Sequence, residues 1–97
     1  MTNTNETLTV LTREGTLGLG RWKHILVIQD DRVTILHMVP AMFGWNTAKI
    51  DVQGHDEWCG MTREQIVAFK LNQGDTCIRP ADASEIEFAK RKLGIAE

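Results

Sequence analysis

Residues Trp22 to Val39 read WKHILVIQDDRVTILHMV, and this stretch decides the fold. Two runs rich in β-branched residues flank an acidic turn centred on Asp30-Asp31, which is typical of a β-hairpin. An even-numbered loop at that centre sets His24 opposite His37, with their Cβ atoms roughly 5 Å apart. A three-residue loop would instead shift the register by one and put the two imidazoles on opposite faces.

Both faces of this hairpin are apolar in the middle. One face is apolar apart from its histidines, so we expect it to face the core; it carries Trp22, His24, Leu26, Ile28, Val33, Ile35, His37 and Val39. The other face is apolar at its centre and polar at its ends. Because a strand that is apolar on both faces is central or covered on both sides, the hairpin is predicted to form the middle of an antiparallel sheet.

Shorter strand patterns flank the hairpin. Residues 7–12 alternate apolar residues with threonines, and a three-residue turn is predicted at 13–15. After Pro40, residues 47–53 alternate again, and their apolar members are expected to face inward: Ala48, Ile50 and Val52, with Lys49, Asp51 and Gln53 outward. Residues 76–79 are predicted to form an edge strand that is stopped by Pro80.

The segment Thr16 to Gly20 has glycines at positions 18 and 20, which share one face of an extended chain. Glycine in strands marks bulges and bends, so we expect a bend toward a small barrel, or a bare face covered by a tryptophan. A phosphate-cradling loop is the functional alternative. Such loops open a helix, however, whereas the chain from Trp22 onward has the pattern of a strand.

The first helix is predicted from a capping-box pattern at Thr62 and Gln65. It should run from about residue 63 to 72 and end near Gly74. The alternative is a strand, because the apolar residues of this segment lack a clear 3.6-residue period.

The second helix is predicted to open with a capping box at Ser84 and Glu87, with Asp82 as the alternative cap, and to run to about Leu93. Its buried stripe should consist of Ile86, Ala89 and Leu93. The fold class is therefore α+β: an antiparallel sheet of four to five strands, open or curled into a barrel-like shape, with one or two C-terminal helices packed on it.

Length and composition favour one domain over residues 1–97, with residues 1–6 disordered. The net charge of -2 gives no general attraction to nucleic acid or to an anionic membrane, so we expect neither as a partner. The sequence has no secretory-signal pattern and no apolar run of the ~20 residues that a membrane helix needs. Two cysteines are too few for a disulfide framework, and a cytoplasmic protein with reduced thiols is expected.

The facing histidines are the one constellation that could carry chemistry. His24 and His37 could ligate a metal ion with a third ligand from the loop at 55–59, which contains His55, Asp56, Glu57 and Cys59. Neither Cys-x-x-Cys nor His-x-x-x-His spacing is present, so we favour two hydrogen-bonded histidines at the margin of the core. We expect no metal and no cofactor, and neither cysteine has the sequence signature of a nucleophile.

The tryptophans suggest a binding surface. Trp22 fits the core, whereas Trp45 and Trp58 fall in or beside loops that also hold methionine and phenylalanine. Because these residue types are enriched where proteins bind proteins, they define the predicted partner surface: Met38, Met42, Phe43, Trp45 and Trp58. In the alternative, the loops fold back over the sheet as lids.

Three functional hypotheses follow. The leading one is a small non-enzymatic binding or regulatory protein, such as an inhibitor or a phage or mobile-element accessory protein, which acts through protein contacts and can form a homodimer. The first alternative is a pocket for a nucleotide-like ligand that stacks on tryptophan, with these residues: Gly18, Gly20, Trp22, His24 and His37. The second alternative is a metal-dependent enzyme that uses His24 and His37.

Overall fold

The computed structural model describes residues 8–18, 20–30, 32–74 and 77–95, so the expected disorder of residues 1–6 lies outside its scope. The elements follow in the order β1 (Leu8–Leu17), β2 (Gly20–Gln29), β3 (Arg32–Pro40), β4 (Trp45–Gly54), a 3-10 turn (His55–Trp58), α1 (Arg63–Asn72), β5 (Ile78–Pro80) and α2 (Ala83–Leu93). Within the described residues, no helix has the length and apolar character that crossing a membrane requires.

The five strands form one antiparallel sheet in the order β4-β3-β2-β1-β5. This confirms the α+β prediction. The sheet is open, so the alternative of a barrel-like curl is not realised. β2 lies in the middle of the sheet, as the apolar character of both its faces predicted, and β4 and β5 form the two edges.

The β2–β3 hairpin has the predicted register, with His24 paired to His37. Each face of the hairpin is covered by a different helix. On the face that we call the α1 face, Leu26 and Val33 pack with Ile66 of α1. On the opposite face, the α2 face, Val27 and Leu36 pack with Ala89 of α2. The hairpin face that we expected to face the core does so, but the opposite face also packs into a core, because a helix covers each side of the sheet.

The turn predicted at residues 13–15 is wrong. β1 continues to Leu17 and turns at Gly18, whose φ of +63° suits the tight hairpin to β2. Gly15 lies opposite Trp22 instead, and a Cβ atom at Gly15 would lie 2.9 Å from Cζ2 of that indole. The expected tryptophan-covered glycine is therefore found at Gly15, while Gly18 lies in the turn and Gly20 begins β2.

The predicted facing of the β4 side chains is also wrong. Ile50 and Val52 are 42% and 60% exposed, whereas Asp51 is half-buried. A β-bulge opposite His37 and Met38 leaves one extra residue in β4, and beyond it the strand alternates regularly to Gly54. Ile50 lies opposite Leu36 on the α2 face, but β4 is an edge strand and α2 does not cover it.

The first helix begins with the predicted capping box, and the strand alternative is wrong. The backbone N–H of Gln65 donates to Oγ1 of Thr62 over 3.2 Å, and the N–H of Thr62 donates to Oε1 of Gln65 over 2.8 Å. The helix ends at Asn72, and Gly74 follows with a φ of +87°. Local capping therefore decided this segment despite its weak apolar period.

The second helix ends at Leu93 as predicted, but its N-cap is Asp82, the alternative residue, and not Ser84. The Glu85 N–H donates to Oδ1 of Asp82 over 2.8 Å, and the Ser84 hydroxyl donates to the same oxygen over 2.7 Å. The helix therefore starts two residues earlier than the Ser84 box predicted. Pro80 does not stop β5 but is its last residue, which an edge strand permits because no N–H is needed there.

Candidate functional site

The two facing histidines lie midway along β2 and β3 on the α1 face. Their ring centroids are 4.5 Å apart with an angle of 68° between the planes, and Trp22 lies beside them, with its ring centroid 5.2 Å from that of His24. Burial lowers the pKa of His24, and the neighbouring His37 and Arg13 lower it further. The predicted contact between the two imidazoles is therefore confirmed, and His24 favours its neutral form.

Asp51 is the acidic partner of this pair, and the sequence did not predict it. Nε2–H of His37 donates to Oδ2 of Asp51 over 2.7 Å, since an ionised carboxylate can only accept. This hydrogen bond is the main reason that the pKa of Asp51 is lowered. Asp51 was expected to point away from the sheet, and only the β3–β4 register with its bulge brings it to His37.

The predicted third metal ligands do not meet the histidines. His37 lies opposite Lys49, and the 3-10 turn begins six residues later at His55, about 20 Å further along the chain. Cys59 follows that turn and is exposed, and the His55 side chain lies outside what the structure describes. Among the described side chains, no group of three or more His, Cys, Asp and Glu residues is placed to hold a metal ion. The hydrogen bond to Asp51 can orient the His37 imidazole.

A basic row crosses the α1 face through the histidine pair. Strand pairing aligns one residue from each of four neighbouring strands: Arg13, His24, His37 and Lys49. A cavity of about 210 Å³ lies beside the row and is lined by residues that include Arg13, His24 and Lys70 of α1. Of the predicted ligand residues, His24 lines this cavity, while Gly18 and Gly20 lie at the β1–β2 turn.

The predicted partner surface separates into buried and exposed members. Met42 and Phe43 are each 89% exposed at the tip of the β3–β4 hairpin. The tip is an ordered turn, because the Ala41 N–H donates to the Gly44 carbonyl over 2.9 Å. Met38, by contrast, is buried in the core of the α2 face. Of these three apolar residues, only Met42 and Phe43 are accessible to a partner.

Trp45 fixes the base of the hairpin tip. It packs against the core of the α2 face, and the Arg21 guanidinium and the Lys23 ammonium lie 4.9 and 4.8 Å from its ring. A cavity of about 180 Å³ beside it is lined by residues that include Lys23, Trp45 and Glu85. Trp45 is therefore anchored to the fold while its neighbours at the tip are exposed.

Trp58 belongs to a different part of the molecule. It packs against the core of the α1 face, and its indole N–H donates to Oε1 of Gln53 over 3.1 Å. Trp45 and Trp58 flank opposite ends of β4, whose ten residues span about 30 Å. The structure therefore does not bring Trp58 to the hairpin tip.

The most extensive buried polar cluster centres on Glu85, which is 7% exposed. Its carboxylate accepts a hydrogen bond from the Thr12 hydroxyl over 2.8 Å, contacts Lys23 over 3.1 Å, and accepts two bonds of 3.0 Å from the Arg79 guanidinium. Burial by itself would raise the pKa of Glu85, but the bonds from Arg79 and the other donors outweigh it and lower the pKa to about 2. Sequence reasoning missed this cluster, since only the spacing from Asp82 marked Glu85 as a capping residue.

No protein-family model, curated protein or solved structure matches this chain.

Proposed function

We propose that this chain is a small non-enzymatic binding protein that contacts a protein partner through the tip of its β3–β4 hairpin. The observation that carries the proposal is the near-complete exposure of Met42 and Phe43, at 89% each. Burying a large apolar side chain stabilises a complex by about 1.5–3 kcal/mol relative to leaving it in water. Two adjacent side chains of this kind on an ordered turn are a suitable anchor for an apolar groove.

The surroundings of the tip suggest the chemistry of the partner. Trp45 is anchored at the base of the turn, and Arg21 lies exposed with its guanidinium over the Trp45 ring. Arginine and tryptophan are enriched at the centres of protein interfaces. We infer that the partner offers an apolar groove for Phe43 with acidic groups at its rim, which would pair with Arg21.

The setting of this function is part of the same proposal. Cys59 is an exposed free thiol, which fits a reducing compartment such as the cytoplasm. An inhibitor, or an accessory protein of a phage or mobile element, would use a small binding surface of this kind. In that role the chain would occupy a groove of its target and block the target's own contacts.

The proposal can be tested by site-specific photo-crosslinking in lysate of the source cells. A photoreactive phenylalanine analogue at position 43 should capture a discrete protein partner. The same analogue at Phe69, which is 51% exposed on α1, is the control for a general apolar surface and should not capture that protein. Capture of the same proteins from both positions, or of none from position 43, would contradict the proposal.

Binding measurements with the purified partner then test the individual residues. Phe43→Ser should weaken binding by about tenfold to a hundredfold, which corresponds to the loss of one buried apolar side chain. Val52→Ser changes an apolar residue that is 60% exposed but lies away from the tip, so it should leave the affinity unchanged. Equal losses from both variants would place the interface elsewhere.

A second candidate function is the binding of a small anionic ligand, such as a nucleotide, beside the basic row. The cavity of about 210 Å³ favours it, because Arg13, His24 and Lys70 all contribute to its lining. Trp22 lies next to His24, so ligand binding should change tryptophan fluorescence. Titration with inorganic phosphate and with ATP tests this candidate, and a His24→Gln variant should reduce any response.

A further inference from the structure

The outer edge of β4 is the long unpaired edge of the described sheet. β4 has ten residues and pairs through one side only, with β3. Ile50 and Val52 are 42% and 60% exposed on the α2 face of this strand. An edge strand presents a row of backbone N–H and C=O groups to which a further strand can pair.

The sequence of β4 is complementary to itself when two copies run antiparallel. With Ile50 opposite Ile50 of a second copy, Lys49 of each copy lies opposite Asp51 of the other. The same register keeps Ile50 of both copies on one face of the joined sheet and the charged residues on the other. We propose that β4 binds β4 of a second copy in this register, which joins two five-stranded sheets around a two-fold axis at Ile50.

The charges distinguish this register from its neighbours. The two nearest alternative registers that keep the two-fold symmetry and the faces set Lys49 opposite Lys49 or Asp51 opposite Asp51. Like charges directly opposite each other are unfavourable, whereas opposite charges are favourable. Lys49 Nζ already lies 3.5 Å from Asp51 Oδ1 within one chain, so the dimer would place two lysines and two aspartates in one neutral cluster.

The shape of the strand limits where the pairing is regular. The bulge near Ala48 interrupts one end of β4, and the strand is regular from Lys49 to Gly54. Regular pairing is therefore limited to residues 49–51 around the axis, and Ile50 at the axis is the residue that both copies bury. The exposed charged pair sets the register, and backbone hydrogen bonds with Ile50 provide the affinity.

Size-exclusion chromatography with light scattering on the full chain tests the dimer. The wild-type mass should approach twice the chain mass of 11.0 kDa as concentration rises, and Ile50→Lys should raise the dimer dissociation constant by about tenfold or more. Circular dichroism checks that the variant keeps its fold. A wild-type chain that stays monomeric throughout the concentration series would overturn the proposal, and so would a folded Ile50→Lys variant that dimerises like wild type.

Cysteine crosslinking tests the register independently of affinity. In a Cys59→Ser background, Ile50→Cys should form an intermolecular disulfide rapidly, because directly opposed residues have Cα atoms about 4.5–5.5 Å apart. Val52→Cys is the matched control: it is more exposed, but in this register the two copies of residue 52 lie about 13 Å apart along the strand. Faster crosslinking at position 52 than at position 50 would overturn the register.

This inference does not depend on the proposed function of the hairpin tip. Phe43→Ser should leave the dimer intact, and Ile50→Lys should leave partner capture through position 43 intact. If Phe43→Ser dissociates the dimer and Ile50→Lys does not, the tip is the self-association surface and the pairing of β4 is wrong. Loss of partner binding with an intact dimer would leave the pairing of β4 supported.

Discussion

The two edges of the sheet are built in opposite ways. The β5 edge is three residues long and ends in Pro80. Its central residue, Arg79, binds Glu85 of α2 and Glu14 of β1, with 2.7 Å to the latter. The β4 edge is ten residues long, and its apolar side chains Ile50 and Val52 are exposed.

This difference predicts that the β5 edge contributes to the stability of the fold, whereas the β4 edge contributes to association with a second copy. Short edges that carry proline and locked charges are a common defence against unwanted strand pairing. The β5 edge has these features, because it ends in Pro80 and its Arg79 guanidinium is held by the buried Glu85 carboxylate. The β4 edge has only a bulge and Lys49, and that lysine faces an aspartate when two copies pair. We therefore expect changes near β5 to act on folding and changes on β4 to act on assembly.

The largest effect should come from Glu85→Gln. The substitution keeps the shape of the side chain but leaves Arg79 and Lys23 without their buried counter-charge, so the free energy of unfolding should fall by about 3–5 kcal/mol. Denaturant unfolding measures this. Glu14→Gln is the control, because Glu14 also binds Arg79 but is 36% exposed, and it should reduce the free energy of unfolding by about 1 kcal/mol or less. A control effect as large as that of Glu85→Gln would show that burial does not distinguish the two contacts.

Acid should act on the same region. Because the pKa of Glu85 is lowered from 4.5 to about 2 in the folded protein, its contribution is full above pH 4.5 and is lost as the pH falls toward 2. The loss should be on the order of 3 kcal/mol. Unfolding curves across this pH range should show it for the wild type. The Glu85→Gln variant should lack this component, and an identical pH dependence in both proteins would contradict the assignment.

The sequence predicted the centre of the sheet well because the signals there are local. The hairpin register follows from a symmetric turn between two apolar runs, and the contact of His24 with His37 follows from that register. The α1 helix follows from the capping pattern at Thr62. In each case the deciding residues lie within a few positions of one another, or within one hairpin, so no tertiary knowledge was needed.

The edges and the charged sites could not be predicted because they depend on tertiary placement. The alternation of apolar and polar residues predicted that β4 is a strand. It could not show that neither helix covers Ile50. The contact of His37 with Asp51 requires a bulge that no residue pattern announces. In the sequence, Glu85 has only the pattern of a capping residue. Its contact with Arg79, which lies in the strand before the helix, depends on the tertiary structure.

A smaller effect should separate the two candidate caps of α2. Asp82→Ala removes the acceptor for the Glu85 N–H and should lower the free energy of unfolding by about 1 kcal/mol. Ser84→Ala removes only a hydroxyl that donates to Asp82, so its effect should be within about 0.5 kcal/mol. Thermal unfolding of the two variants is a direct comparison. A larger loss of stability from Ser84→Ala than from Asp82→Ala would show that Ser84 is the cap and that the helix starts where the sequence predicted.

The smallest effect on folding should come from the β4 edge. Ile50 is 42% exposed and lies outside the cover of α2, so Ile50→Lys should change the free energy of unfolding of the monomer by no more than about 0.5 kcal/mol. The measurement must be made at a concentration where wild type is monomeric, because dimerisation would add to its apparent stability. Ile25→Lys is the contrasting variant, since Ile25 is 2% exposed in the core of the α2 face and a charge there should unfold the protein. If Ile50→Lys also unfolds the monomer, β4 is held in place by Ile50, and the separation between a folding edge and an assembly edge does not hold.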